Sequence, residues 1–304
     1  MKKITFLLII ILFFKFSLSQ NYSDTLQRSF NPVKFAVAAG GGGLFYAGTL
    51  SSLYTVWYQD KSPSPFHFKN DNAGWMQIDK YGHAYTCYLF GKLGMNALKW
   101  TGVNRKKAIW FGGSYGFLFM TSVEILDGHY WEWGASPMDM VANASGSALL
   151  IAQELVFDKQ ILTYKFSYHH TELAKYKPGV LGEGNIERVV ADYNGQTFWL
   201  SLNLKSIFKH QKMLPRWLNI AGGYSAYGML SGETNPVYAY NGSRLPHIER
   251  YRRYYLTLDI DFDKIQTKSK FLRSTFFFLN LIKFPLPTVE FNTLGETKFH
   301  PFFF

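Results

Sequence analysis

The chain has 304 residues, of which 47% are hydrophobic and 18% aromatic. This apolar content excludes an intrinsically disordered protein, because the chain has ample surface to bury. The formal net charge of +11 favours anionic partners. The single cysteine, Cys87, excludes an intramolecular disulfide.

The N-terminus has the three parts of a secretory signal peptide. Met1-Lys2-Lys3 is basic, Ile4–Phe14 is apolar apart from Thr5, and Ser17-Leu18-Ser19 supplies small residues for cleavage. We predict a signal peptide at residues 1–19 and an exported protein on the periplasmic side of the cell envelope, associated with the outer membrane. An uncleaved N-terminal anchor is the alternative. Cys87 lies too far from this segment to be the acylated cysteine of a lipoprotein.

Export and charge together indicate the partners. Nucleic acid is not expected outside the cytoplasm, whereas membrane lipids and anionic glycolipids carry the charge that basic clusters attract. The aromatic content also suits a protein at a membrane interface. Protein partners are not indicated by any motif.

Residues 33–157 contain long stretches without charge. These runs are Phe35–Tyr58, Ala108–Val123 and Met140–Gln153, and an amphipathic pattern lies at His83–Leu98. We predict about four helices, packed against each other or partly in a membrane. The glycines at 40–43 weaken a helix, so a break or a loop there is the alternative.

From residue 160 the hydrophobic period changes to two. Alternation is clearest at Leu162–His169, Thr197–Leu204 and Leu256–Asp263, which predicts half-buried antiparallel strands. We therefore predict an α+β fold with a helical domain at 20–158 and a strand-rich region at 159–304. A closed outer-membrane barrel is the alternative; the strands look too few, and Pro285 and Pro287 interrupt the last segment.

Polar residues interrupt the apolar helices in a repeated manner, with pairs three or four positions apart at the helix ends. Ionisable groups in apolar helices are costly and seldom occur without a partner or a function. We predict that these groups converge on one pocket, with Asp79, His83, Glu124 and Asp139 as catalytic residues and Lys80, Asp127, Asn143 and Gly146 as binding residues.

Such a pocket has two interpretations. Carboxylates beside an imidazole suit general acid and base chemistry on an ester or a phosphoester. A buried network of ion pairs that fixes the helix register is the other, and the sequence does not decide whether the protein is an enzyme. No cofactor is predicted, and no metal either, since a second histidine at ligand spacing is missing.

Several strings in the chain resemble an uncharacterised bacterial envelope family typified by YfiM. They are Phe66–Asn72, Trp75–His83, Glu124–Gly128, Trp133–Ser136, Asp139–Asn143 and Asp192–Ser201. The polar skeleton of Asp79, Lys80, His83, Glu124, Asp139, Asn143 and Gly146 is also distantly similar to the VanZ-like proteins. The resemblance to the VanZ-like proteins implies an association with the membrane and with envelope lipids, whereas the YfiM-type family has no assigned activity.

Two functions follow as hypotheses. The first is an envelope protein whose polar pocket binds or processes a lipid or glycolipid head group. The second is a structural or interaction protein of the outer envelope, without catalytic activity, which binds a partner through its aromatic, strand-rich half.

Overall fold

The computed structural model describes residues 29–239 and 242–303. The predicted signal peptide at 1–19 and the terminal Phe304 lie outside these residues. The chain divides into two compact units. The helical unit contains residues up to 70, 86–160 and 266–277, and the sheet unit contains 71–85, 161–265 and 278–303. Helices precede strands along the chain, which confirms the predicted α+β class.

Four long helices lie in the part of the first 160 residues that the structure describes, as predicted. They are α1 (Pro32–Leu53), α2 (Ile78–Trp100), α3 (Arg105–Asp127) and α4 (Pro137–Phe157). Side-chain caps and prolines set two of the starts. The side-chain oxygens of Asn31 and Ser136 accept from backbone N–H groups at the first turns of α1 and α4, and a proline follows each cap.

The glycine run in α1 does not break the helix. Residues 40–43 lie in the middle of a continuous helix, so the alternative of a loop there is wrong. The helix ends in a π-helical turn, Tyr54–Tyr58, and α3 has another at Ala108–Gly112. Tyr115 of α3 donates a hydrogen bond to the carbonyl of Gly42 at 2.7 Å, so α1 has a partner at its weakest point.

Glycines bring α2 and α3 close together inside the helical unit. A Cβ on Gly112 would lie 2.4 Å from Cα of Met95, and one on Gly116 would lie 2.3 Å from the carbonyl oxygen of Cys87. No side chain fits at these distances. Small residues permit this approach, as they do between helices in membranes.

Six strands form one antiparallel sheet in the described residues of the sheet unit. They are β1 (Leu162–Tyr168), β2 (Gln196–Asn203), β3 (Leu218–Tyr227), β4 (Tyr251–Ile260), β5 (Leu286–Asn292) and β6 (Thr297–Phe303). Their order in space follows their order in the chain. Short helices connect them: α5 (Pro178–Leu181), α6 (Asn185–Ala191), α7 (Leu204–Ile207) and α8 (Lys270–Leu279).

Two of the three predicted strands match closely and the third is displaced. β1 and β2 cover the predicted alternation, whereas β4 begins five residues before the predicted start, at Tyr251 rather than Leu256. Pro287 does not interrupt the last segment. It lies near the start of β5, where its carbonyl accepts a hydrogen bond from Thr257 of β4 at 2.9 Å.

One face of the sheet is polar and buried. Lys165 and Asp259 form an ion pair there at 2.7 Å, and both side chains have 0% exposure. His169, just after β1, lies at the same side. Burial, together with the charges of Arg253 and His300, lowers the pKa of His169 to about 4, and burial is the largest cause. The inner face of this sheet is therefore a network of polar groups.

Part of the opposite face is covered by the first two turns of α2, which belong to the sheet unit. Tyr81 stacks on Tyr224 of β3 with ring centroids 4.7 Å apart, and Tyr85 stacks on Phe166 of β1 at 5.6 Å. The hydroxyl of Tyr164 donates to the carbonyl of Tyr81 at 3.1 Å. These contacts hold the start of α2, with Asp79, Lys80 and His83, on the sheet.

Candidate functional site

The eight predicted site residues lie on three helices. Asp79, Lys80 and His83 are in the first two turns of α2, within the sheet unit. Glu124 and Asp127 are in the last turn of α3, and Asp139, Asn143 and Gly146 begin α4; these five belong to the helical unit. The convergence of the two sets on one pocket stays a prediction.

Within the helical unit the structure brings Glu124 and Asp139 together. One carboxylate oxygen of each lies within 4.8 Å of the other, and the two residues are only 3% and 5% exposed. Glu124 accepts a hydrogen bond from the backbone N–H of Ser136 at 2.9 Å, and the Ser136 hydroxyl accepts from the N–H of Asp139 at 3.1 Å. The cap of α4 thus also positions Glu124.

Asn143 and Gly146 follow Asp139 along the buried side of α4. The Asn143 side-chain oxygen accepts a hydrogen bond from the Cys87 thiol at 3.4 Å. Burial raises the pKa of this thiol, which suits a core cysteine. Gly146 is buried, and the neighbouring residue Ser147 is only 5% exposed. The polar stripe of α4 therefore extends two turns inward.

Asp127 has a partner that the sequence did not indicate. The hydroxyl of Tyr58, at the end of the π-helical turn after α1, donates to its carboxylate at 2.5 Å. Burial raises the pKa of Tyr58, and the negative charge of Asp127 raises it further. Tyr58 is 3% exposed. The one sequence signal was its position as the last residue of the uncharged run 35–58.

In the sheet unit, Lys80 lies between two carboxylates. Its ammonium is 2.7 Å from Asp71 and 3.0 Å from Asp79, and an oxygen of each carboxylate lies within 4.8 Å of the other. Asp71 precedes the helix and was not predicted as a site residue, although it belongs to one of the strings that carried the resemblance. The ion triad fixes the charged end of α2.

The turn before α2 has an unusual backbone. Trp75, Met76 and Gln77 have φ of 49°, 50° and 67°, in the left-handed region that costs roughly 1–2 kcal/mol per residue for L-amino acids. Neighbouring groups hold it there: the Tyr224 hydroxyl donates to the Met76 carbonyl at 2.5 Å, and Arg252 donates to the Gln77 side chain at 2.6 Å. Strain maintained in this way is typical of functional sites.

The carboxylate pairs define what these clusters can do chemically. Two adjacent buried carboxylates can share a proton, accept hydrogen bonds from a hydroxyl or an amine, or divide the roles of acid and base. Glu124 with Asp139, and Asp71 with Asp79, each offer two of the oxygen ligands that hard divalent cations prefer. The same groups also suit a head group that carries hydroxyls.

Comparison with known proteins gives one match. Residues 67–154 match the sequence model of the family DUF2279, which is described as a predicted periplasmic lipoprotein. The matched residues contain all eight predicted site residues. No curated protein and no solved structure matches the chain. The match supports an uncharacterised bacterial envelope family and an exported, periplasmic protein.

Proposed function

We propose that this protein is a membrane-associated envelope protein whose helical half binds and processes the head group of an envelope lipid or glycolipid. The observation that carries the proposal is the buried pair of Glu124 and Asp139, whose carboxylate oxygens lie within 4.8 Å. The pair lies on α3 and α4. By length and composition, these are the two helices in the described residues that could cross a membrane.

The free-energy cost of burying two carboxylates in apolar helices favours a functional interpretation. Two carboxylates in apolar helices lose the hydration that water gives them, and an apolar pair at the same positions would be cheaper. A lipid head group presents hydroxyls and a phosphoester at the depth where such helices end. The hydroxyl would attack the phosphorus of the phosphoester while one carboxylate accepts its proton. The other group, in its carboxylic acid form, would give its proton to the leaving oxygen as the bond between that oxygen and phosphorus breaks.

The predicted site also includes groups of the sheet unit. Asp79 would supply the orienting carboxylate and His83 an imidazole that can accept or donate a proton. Lys80 would attract the phosphate. Their part in the same reaction rests on the sequence pattern and on the strained turn that precedes them.

The alternative is a structural or interaction protein, and the capping hydrogen bonds through Ser136 favour it. In that case Glu124 only fixes the start of α4. The two functions differ in what an isosteric replacement does. A catalytic carboxylate loses its function as an amide, whereas a structural acceptor keeps most of its hydrogen bonds.

The test uses a strain that lacks the gene and is complemented with Glu124→Gln, Asp139→Asn or, as a matched control, Glu132→Gln. Glu132 is an exposed acidic residue in the loop between α3 and α4. We expect lipidomics to show an envelope lipid that accumulates in the deletion strain. The wild type and the Glu132→Gln control should clear this lipid, whereas Glu124→Gln and Asp139→Asn should not.

Protein level and thermal stability in detergent are measured for each variant. Restoration of the lipid profile by folded Glu124→Gln and Asp139→Asn proteins would contradict the proposal and favour the structural alternative. A deletion strain whose envelope lipids do not change would also contradict the proposal. His83→Ala and Asp79→Asn in the same assay test the predicted part of the sheet unit.

A further inference from the structure

The sheet buries its polar face and exposes apolar residues on the other face, the reverse of an antiparallel sheet in water. Along β4, Arg253, Tyr255, Thr257 and Asp259 are buried, and the residues between them are exposed leucines and a tyrosine. Leu256 and Leu258 are 50% and 52% exposed, whereas the Asp259 side chain has no exposure. In a soluble antiparallel sheet the apolar residues would face inward.

The register makes the apolar positions one continuous band across the sheet. Leu200 of β2 lies opposite Gly222, which lies opposite Leu256; next come Val289 of β5 and Phe299 of β6. A second row runs through Leu162, Leu202, Ile220 and Leu258. These rows draw residues from all six strands, next to the part of this face that the start of α2 covers.

The inner face cannot exchange roles with the outer one. Asp259 accepts from Lys165 at 2.7 Å and from the Ser201 hydroxyl at 2.6 Å, and Lys283 lies 3.6 Å from its other oxygen. Turning these groups outward would expose them to whatever covers the apolar band. The sheet is also curled, as a contact between Phe303 of β6 and Trp199 of β2 shows, with ring centroids 6.1 Å apart.

The chain beyond α8 continues the same pattern along the edge of β1. Phe166 of β1 donates to the carbonyl of Leu281 at 3.2 Å and accepts from the N–H of Lys283 at 2.9 Å. Lys283 is buried, whereas Ile282 and Phe284 are 47% and 42% exposed. This pairing satisfies backbone groups of an edge strand, as a membrane requires.

We propose that the outer face of the sheet, which we call the apolar band, lies in the hydrocarbon of a lipid bilayer. The band consists of the two rows described above, and its members include Leu200, Leu202, Ile220, Leu256, Leu258 and Phe299. β3 and β4 have 10 residues each, within the roughly 9–11 residues of a strand that crosses a bilayer. Apolar residues outward with charged residues inward is the alternation of lipid-exposed strands.

The connection from β2 to β3 indicates the level of the head groups. It carries exposed Lys209, Lys212 and Arg216, and Trp217 precedes β3 with 41% exposure. Cations beside an aromatic ring at the end of an apolar surface suit anionic lipid head groups. This charge favours a bilayer over a second copy of the chain, which would present the same cations at its own band.

The inference goes beyond the proposed function, because its evidence and its test leave the carboxylate pair of the helical unit unchanged. The full chain is placed in vesicles of phosphatidylethanolamine and phosphatidylglycerol. Bimane is attached through Leu256→Cys, Leu258→Cys or Ile186→Cys. Ile186 is an exposed apolar residue on α6, outside the six strands, and buried Cys87 makes the wild type the labelling blank.

We expect lipids with doxyl groups on their acyl chains to quench the labels at Leu256 and Leu258 about twofold or more above the label at Ile186. Equal quenching at the three positions overturns the proposal. Disulfide formation between Leu256→Cys copies without quenching also overturns it, since it assigns the band to a second copy.

A second measurement does not depend on labelling. One arginine in the hydrocarbon costs enough to lower partitioning into vesicles about 30-fold or more. Leu256→Arg should therefore lower the vesicle partition coefficient by this factor relative to the wild type, whatever affinity the helical unit adds to both, whereas Ile186→Arg should not. A folded Leu256→Arg protein, checked by circular dichroism, that stays with the vesicles as the wild type does would contradict the inference.

Discussion

Replacing Asp259 by asparagine removes the anionic partner of two buried ammonium groups. Lys165 lies 2.7 Å from one oxygen of Asp259, and Lys283 lies 3.6 Å from the other. In the variant each lysine keeps one backbone acceptor, the carbonyls of Ile260 and Phe284. Leaving buried charge without its counter-ion costs about 3–5 kcal/mol, so we expect Asp259→Asn to lose that much of the free energy of unfolding.

The matched control is Lys283→Met. It leaves Asp259 with Lys165 and the Ser201 hydroxyl, one cation to one anion, so we expect a loss of about 1 kcal/mol or less. Replacing Lys165, Asp259 and Lys283 together by Met, Leu and Met should restore most of the stability. Such non-additivity is the mark of one charged network.

Chemical unfolding in detergent micelles measures these differences. Trp199 is fully buried, and its ring lies 5.4 Å from the Lys283 ammonium, so its fluorescence reports on this face of the sheet. The expected gap between Asp259→Asn and Lys283→Met is about 2 kcal/mol or more, roughly 30-fold in the unfolding constant. Equal losses in the two variants would refute the charge argument.

Four further predictions concern single residues. The pKa of His169 is about 4 in the fold and about 6.5 in the unfolded chain, so the unfolded state binds the extra proton between these values. The free energy of unfolding should therefore fall by about 3 kcal/mol from pH 6.5 to pH 4. His169→Asn should flatten that decline in denaturant titrations. Gly112→Ala should lose about 1–3 kcal/mol in thermal unfolding, because its Cβ meets backbone. Gly40→Ala meets nothing within 4 Å and should gain about 0.5–1 kcal/mol; a loss would contradict the open space around α1. Tyr224→Phe removes the donor to the Met76 carbonyl, so hydrogen exchange of residues 75–83 should rise; unchanged exchange would mean that other contacts hold the turn.

Hydrophobic runs predicted the long helices because each run had the length of a helix. The four predicted helices are present, and α4 spans the predicted run Met140–Gln153 with three or four more residues at each end. The glycines of α1 were ambiguous, since their weak propensity is overcome by contacts such as Tyr115 with Gly42, far away in the sequence. Propensity alone could not show that partner.

The candidate site was predictable only in part. Spacing identified Glu124 and Asp139 because charge stands out in an apolar run. Tyr58 and Asp71 could not be found in this way: a tyrosine carries no charge that stands out in an apolar run, and Asp71 lies in a loop without periodicity. Their pairings with Asp127 and Lys80 are visible only in three dimensions.

The strands show a limit of a different kind. β3 was missed because Gly222 and Gly223 interrupt its alternation, although β4 on one side and β2 on the other satisfy its backbone. In β5, Pro287 hid a strand that starts beside it. Period-two patterns identify strands by side chains, whereas a sheet is held together by backbone hydrogen bonds that glycine also makes.

Alternation also leaves open which face of a strand is inward. Leu256 and Leu258 alternate with Thr257 and Asp259, and this pattern fits a soluble strand with an apolar core as well as it fits a strand with its leucines outward. The choice depends on whether charge can be neutralised inside, and that requires Lys165 of β1 and Lys283 after α8 to meet Asp259 of β4. Once they meet, the charged face is satisfied inward, and the leucines lie on the face that we propose to contact lipid. The buried ion network and the proposed lipid contact are therefore two consequences of one register.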